Sequence, residues 1–328
     1  MQGISALQWR NRHCLPFAPV RAMAPAMIAP ISSIDRRGLS YALGAYAIWG
    51  VLPLYFHALA GVPALQVLAH RVAWSVPLLL AIVLILKRGR AMLAAARGRT
   101  LLLLFASSVL IAVNWLVYIW AVQHGHVLES SLGYFINPLV NVALGMAVLG
   151  ERLRRWQGVA IGVAAAGVAV MAISGGGAIW ISLVLAASFG LYGLVRKVAA
   201  IDALGGLTFE TMLLAPLGFA WLAYSASYDA TGFGQSWRLD ALILAAGVVT
   251  AAPLLLFTGA ARRLPLSMLG LMQYLAPSMQ FGIALLLGEA LRPAHLITFP
   301  LIWAGCALFA WDSIRAMRAP VPDVKPIG

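Results

Sequence analysis

Two ionisable residues, Arg71 and Glu210, stand inside long apolar stretches of the sequence, and their chemistry there needs a reason. If such a stretch crosses a bilayer, an Arg near its centre costs about 2.5–3.5 kcal/mol on insertion scales, so it comes with a partner, a water-filled cavity or a task. Arg71 accordingly has two readings. It lines a polar route and attracts an anionic group, or it snorkels to an interface or pairs with Glu129. Glu210 has two as well: it binds a proton or a cationic group, or it pairs with Arg196 or Lys197. His70 adjoins Arg71 but points about 100° away around a helix, so only one of the two need face a cavity. Its imidazole can exchange a proton near neutral pH, although a lone His near an interface is more often simply hydrogen-bonded.

Amides form the next group. Asn114, Gln123, Asn137, Asn141 and Gln273 lie within apolar runs, where lipid offers no hydrogen-bond partner and the protein must supply one. Helix-to-helix hydrogen bonding accounts for most such residues. Asn137 stands out because it precedes Pro138, whose missing N–H frees a carbonyl one turn earlier and brings unsatisfied backbone to the level of a polar side chain. Trp49, Trp74, Trp115, Trp120, Tyr134 and Tyr274 accompany these positions; they suit a cavity for a flat amphipathic solute, and equally packing or interface anchoring. The candidate lining of a solute route is therefore Arg71, His70, Trp74, Asn114, Tyr134, Asn137, Glu210 and Gln273. Gly158 and Gly162, one helical turn apart, favour close helix packing, within the fold in the first instance or at the seam of a homodimer.

Other chemistries find no support. There is no Gly-Lys-Ser/Thr phosphate loop, so no ATP engine. The acids total 10 in 328 residues, and no two cluster for metal-assisted catalysis. Cys14 and Cys306 are the only cysteines, too few for a disulfide framework or a zinc site. No cofactor or metal is expected. An intramembrane enzyme acting on a lipid-linked substrate stays as the alternative reading.

The elements that must position these residues follow from composition. Hydrophobic residues make up 62% and charged residues 10% of the chain, against about 45–50% and about 25% in soluble domains. Ten apolar spans are predicted, at 39–60, 64–86, 100–123, 127–149, 156–173, 178–195, 207–224, 241–261, 266–288 and 294–311, each near the length that crosses a bilayer. The run Gly175-Gly176-Gly177 reads as a tight turn between the fifth and sixth. Residues 1–38 are polar, Pro-rich and Arg-containing, an expected disordered cytoplasmic extension in which Met23 or Met27 is an alternative start. Of 23 Lys and Arg residues, 20 fall in segments on the side of the N-terminus, two (Arg238 and Arg292) on the other side, and Arg71 within a span. The net charge of +13 is thus spread between spans, as lipid contact requires and nucleic-acid binding does not. The excess of basic residues on one side puts both termini in the cytoplasm.

A repeat organises the spans. Laid on itself at one constant offset, the sequence places Pro77 on Pro216, Pro138 on Pro277, Asn114 on Pro253 and Arg71 on Glu210; an offset shorter by a single position places Leu149-Gly150-Glu151 on Leu287-Gly288-Glu289. Each half holds five spans, an odd number, so the second enters the membrane in the opposite sense. The expected fold is all-α and integral to the membrane, with ten helices as two inverted halves, 39–173 and 178–314, and a cytoplasmic tail, 315–328. Inverted repeats are the architecture of many secondary transporters.

The segment Leu149-Gly150-Glu151-Arg152-Leu153 before a Gly/Ala-rich span resembles the hallmark of the EamA family of the drug/metabolite transporter superfamily. Ala45-Tyr46-Ala47-Ile48-Trp49-Gly50, His70-Arg71-Val72-Ala73-Trp74-Ser75, Asn114-Trp115-Leu116 and Glu129 through Asn141 are similar to its RarD branch, as are Tyr192-Gly193-Leu194-Val195-Arg196-Lys197 and Glu210-Thr211. The resemblance runs from residue 36 to about 315. It implies paired five-helix EamA repeats and a transport role linked by name to chloramphenicol sensitivity. The resulting expectation is a multi-pass protein of the bacterial inner membrane that moves a small organic solute by alternating access, with coupled protons carried by Glu210 or His70.

Overall fold

The structure is a computed structural model and describes residues 35–149, 154–174, 178–228, 232–261, 263–264, 269 and 272–318. The glycine turn at 175–177, Glu151, nearly all of the predicted extension and the end of the tail lie outside the described residues. Among the described residues there are eleven helices and no strand: α1 (Arg36–His57), α2 (Ala64–Ile85), α3 (Gly89–Ala95), α4 (Arg99–Gln123), α5 (Val127–Leu149), α6 (Arg155–Ile173), α7 (Ile179–Val198), α8 (Ala203–Ala226), α9 (Trp237–Ala261), α10 (Leu275–Leu286) and α11 (Pro293–Arg318). Eight of them, α1, α2, α4, α6, α7, α8, α9 and the part of α11 from Pro293 to Asp312, are long and apolar enough to cross a membrane; α10 is a shorter apolar helix.

Local chemistry explains where the helices depart from the predicted spans. α1 begins at Arg36 rather than 39 because the Asp35 carboxylate accepts the Arg37 N–H at 2.9 Å, satisfying one of the free amides of the first turn. α8 begins about one turn before the predicted 207, since Asp202 caps it through the Gly205 N–H at 3.2 Å. The basic loop after α2 contains the short helix α3, anchored by the buried Met92. In the predicted ninth span, Leu269 and Met272 are helical, Gln273 and Tyr274 form a turn, and α10 runs on from Leu275. Pro277 lies in the first turn of α10, where its missing N–H breaks no intrahelical bond.

Apolar side chains cover the outside, among them Leu102, Ile173, Leu217 and Leu286, while Arg71, Asn114, Glu210, Thr250 and several serines are buried within. That distribution suits a lipid solvent, in which every interior polar group must be satisfied by the chain itself. Hydroxyls and amides do so between helices: Tyr46 Oη donates to the Leu269 carbonyl at 2.9 Å, Ser131 Oγ to that of Pro277 at 2.8 Å, Ser182 Oγ to that of Glu129 at 2.6 Å, and Gln280 Nε2 to that of Trp49 at 3.0 Å.

α1 packs on α9 and α10, α2 on α8 and α9, α4 on α7 and α8, α5 on α7 and α10, and α6 on α11. Glycines allow the closest of these approaches. A Cβ on Gly305 would stand 2.8 Å from the Ala160 carbonyl oxygen, and one on Gly167 would stand 3.1 Å from that of Thr298. Gly162, expected to pack closely, has nothing within 4 Å of the place a Cβ would take. The tight contact of α6 lies instead around Ala160, Ala164 and Gly167, on another face of the helix.

Candidate functional site

Arg71 lies on α2, only 6% exposed. Its Nε donates to Thr250 Oγ1 on α9 at 2.7 Å, and its guanidinium carbon sits 4.2 Å from the centre of the Trp115 ring on α4 and 5.7 Å from that of Phe56 on α1. Thr250 in turn donates to the Ala246 carbonyl at 2.8 Å, which aims its lone pairs at the arginine. Among the described residues no carboxylate comes within ion-pair distance of Arg71. The alternative of a pair with Glu129 is therefore not formed among the described residues, and aromatic faces take its place. Cation–π contacts of this kind contribute about 2 kcal/mol when desolvated, but they leave the positive charge uncompensated.

An aromatic and amide chain extends from the arginine. The Phe56 ring meets Tyr118 edge-on at 5.8 Å, Tyr118 meets Tyr134 at 5.5 Å, and Tyr134 Oη donates to Asn114 Oδ1 at 3.1 Å. Asn114 Nδ2 donates to the Leu185 carbonyl at 3.1 Å and Ser188 Oγ at 3.0 Å, both on α7. Buried Tyr118 Oη and Asn137 Oδ1 have no hydrogen-bond partner among the described residues. Arg71, Asn114 and Tyr134 thus share one largely buried neighbourhood. Thr250, Phe56 and Tyr118 join it without having been singled out; Tyr118 follows Asn114 by one helical turn, the spacing that stacks side chains along one helix face, so it was within reach of inspection.

Other predicted residues make different contacts. His70 is buried, with its ring 6.2 Å from Phe233, which also stacks on the half-exposed Trp74 at 6.4 Å. Gln273 is partly buried in the turn before α10, its N–H donating to the Leu269 carbonyl at 3.0 Å. Asn141 has no described side chain.

Glu210 on α8 is 1% exposed and has its own set of partners. Ser107 Oγ donates to Oε1 at 2.6 Å, Tyr192 Oη donates to Oε2 at 3.2 Å, and Arg196 Nε lies 3.7 Å from Oε1. Of its two predicted readings, the geometry builds the ion pair with Arg196. Gly206 makes room for that guanidinium, which packs directly against the place of its missing Cβ.

A third ionisable cluster was not foreseen. Glu129, in the first turn of α5, faces His126 Nδ1 at 3.6 Å and His295 Nε2 on α11 at 3.7 Å. Beside it, Glu289 accepts the N–H of Val127 at 2.6 Å and of Leu128 at 2.8 Å. Burial raises the Glu289 carboxyl above its ordinary range, the two amides pull it back, and the Glu129 charge pushes it further up. The signal for Glu289 was its place in the repeated Leu-Gly-Glu; nothing local pointed to His295. Among the described residues no group of three or more His, Cys, Asp or Glu side chains is arranged to hold a metal ion.

The EamA-like transporter family profile matches residues 36–173. An uncharacterized transporter of Vibrio cholerae serotype O1 is 42% identical over 295 residues, covering 89% of this chain and 98% of that protein. The chain belongs to the EamA-like transporter family. Protein RarD of Escherichia coli strain K12 is 43% identical over 286 residues, covering 86% of this chain and 97% of its own, and protein RarD of Streptomyces exfoliatus is 46% identical over 294 residues, covering 87% and 91%. One solved crystal structure superposes with a TM-score of 0.55 at 18% identity, over 85% of this chain and 98% of its own, a likeness of fold. As an EamA-like protein the chain is a multi-pass membrane protein of a transporter family, a setting that weighs against the enzyme reading.

Proposed function

We propose that this chain is a secondary transporter that carries a small organic solute with an anionic group across the bacterial inner membrane, by alternating access between two inverted five-helix halves. The observation that carries the reading is Arg71: a buried cation held by Thr250 and aromatic faces, with no carboxylate partner among the described residues. An uncompensated charge at such depth is costly, and a solute anion would offset it. Phe56 and Trp115 come from one half and Thr250 from the other, so a solute bound there would touch both.

The inverted arrangement draws support from the packing. Exchanging the halves, with α1, α2, α4, α5 and α6 answering to α7, α8, α9, α10 and α11, turns the pair α1 with α9 into α7 with α4, and α1 with α10 into α7 with α5; each is an observed contact. Single residues follow. Gly50 approaches Met279 and Gly190 approaches Val140; the offset that carries Pro77 to Pro216 also carries Val140 to Met279, and one longer by a single position carries Gly50 to Gly190. The basic residues favour cytoplasmic termini. Coupled protons complete the reading.

Purified protein in proteoliposomes, offered organic anions, neutral analogues and chloramphenicol with and without a proton gradient, tests it. The expected result is uptake or efflux of an anionic solute that is lost in a folded Arg71→Ala variant. Flux indifferent to that substitution would remove Arg71 from the route.

A further inference from the structure

The cluster where α5 and α11 begin is left unused by a route through Arg71. Glu129 is 7% exposed and has imidazoles on two sides and, among the described residues, no Lys or Arg within ion-pair distance. His295, 3% exposed, accepts the Arg292 backbone N–H at Nδ1, 3.2 Å away. A nitrogen that accepts carries no proton, so the neutral ring bears its proton on Nε2, which faces Glu129 Oε1. His126, from the loop before α5, is partly exposed and stacks on Trp120, giving water a way in. The α7 side contributes a hydroxyl: Ser182 holds the Glu129 carbonyl. From the loop after α10 comes Glu289, so two carboxylates share one helix start. A helix N-terminus welcomes one negative charge, but a second beside it is opposed by the first.

We propose that Glu129, His126, His295 and Glu289 form a proton-binding site, separate from Arg71, and that a proton bound there keeps Glu289 clamped on the first turn of α5. The proton comes from water at that end of the bundle and is shared between the Glu129 carboxylate and the imidazoles. With it bound, Glu289 is the only full negative charge at the helix start and holds the amides of Val127 and Leu128. With it gone, the two carboxylates repel and the clamp loosens. Because α5 meets α7, α10 and α11, such a clamp would let protons gate this end. That use rests on the transport reading; the site itself does not.

Hydrogen exchange of the full chain in lipid nanodiscs, read without any solute and corrected for the intrinsic effect of pH, tests it. Between pH 5.5 and 8.5 the protection of the amides at 127–131 is expected to fall about tenfold for each unit by which clamping shifts the proton affinity, with α4 amides as an unchanging control. Glu129→Gln should abolish the step, and His295→Gln should displace it. An unchanged step in both variants overturns the proposal, as does flat protection in the parent chain. If Glu129→Gln fails to fold, His295→Gln and His126→Gln decide: a step that neither moves overturns it. Absence of solute flux would count against the transport reading and leave this result standing.

Discussion

Gly167 on α6 and Gly305 on α11 occupy equivalent places in one helix crossing: each leaves room for a carbonyl of the other helix, Thr298 for the first and Ala160 for the second. The offset that lays Leu149 on Leu287 also carries Gly167 to Gly305 and Ala160 to Thr298, so the crossing is built alike from either side. At Gly305 an added methyl would meet that carbonyl at 2.8 Å, and backbone cannot step aside cheaply. Overpacking costs about 1–3 kcal/mol, against a gain of about 1 kcal/mol from replacing Gly in a helix. Gly305→Ala should therefore lower the melting temperature in detergent, while Gly162→Ala, with open space around it, should leave it equal or higher.

Glu289 ties the loop after α10 to the start of α5, and its removal strands two N–H groups. Hydrogen bonds to a charged acceptor contribute about 1.5–3 kcal/mol each, so Glu289→Ala should destabilise more than Glu289→Gln, which keeps one acceptor oxygen. The pH dependence has a definite sign. Burial raises this carboxyl, so the folded chain holds the proton more tightly than the unfolded chain. The associated stability is fully present below the ordinary carboxyl range and is lost as pH rises through the raised value. Melting curves of Glu289→Gln across that window should show a shallower decline than those of the parent chain.

Removing one member of the Glu210–Arg196 pair leaves the other buried and unpaired. Such losses cost about 3–5 kcal/mol, whereas replacing both members is far milder. Glu210→Ala should thus be poorly folded and Glu210→Ala with Arg196→Ala largely recovered, by yield and thermal stability. A stable single variant with altered proton dependence of flux would restore the proton-carrier reading of Glu210.

Tyr134→Phe deletes one partly buried hydrogen bond to Asn114, a change of about 1 kcal/mol in stability. Because the phenol stands beside Tyr118 near Arg71, the same variant should alter the apparent affinity for a transported solute more than the amount of folded protein. Transport kinetics set against expression level separate the two effects.

Most of the helix pattern was legible because spanning length and basic loops are local properties, and Pro77 with Pro216 and Arg71 with Glu210 are the pairs on which the proposed repeat rests. Partners were harder. Arg71 was expected to snorkel, pair with Glu129 or meet a solute, yet Glu129 is engaged by His126, one helical turn before it, and by His295, which no spacing in the sequence connects to it because it comes from the last helix described. Glu210 was easier: Arg196 closes the α7–α8 turn, a short-range relationship. Gln273 was read inside a continuous span because an apolar run conceals a turn such as the one at 273–274. Gly162 misled because a glycine pair reports small size, and the neighbouring helix chose the face carrying Gly167.

Solute counterflow tests the central claim most directly. Proteoliposomes are loaded with an unlabelled organic anion, diluted into a trace of the labelled form with no ion gradient, and followed over time. Alternating access through a site at Arg71 predicts a transient labelled accumulation, driven by exchange, that Arg71→Ala abolishes while the protein stays folded. No accumulation with any solute on the panel, or the appearance of a chemically altered product, would contradict it.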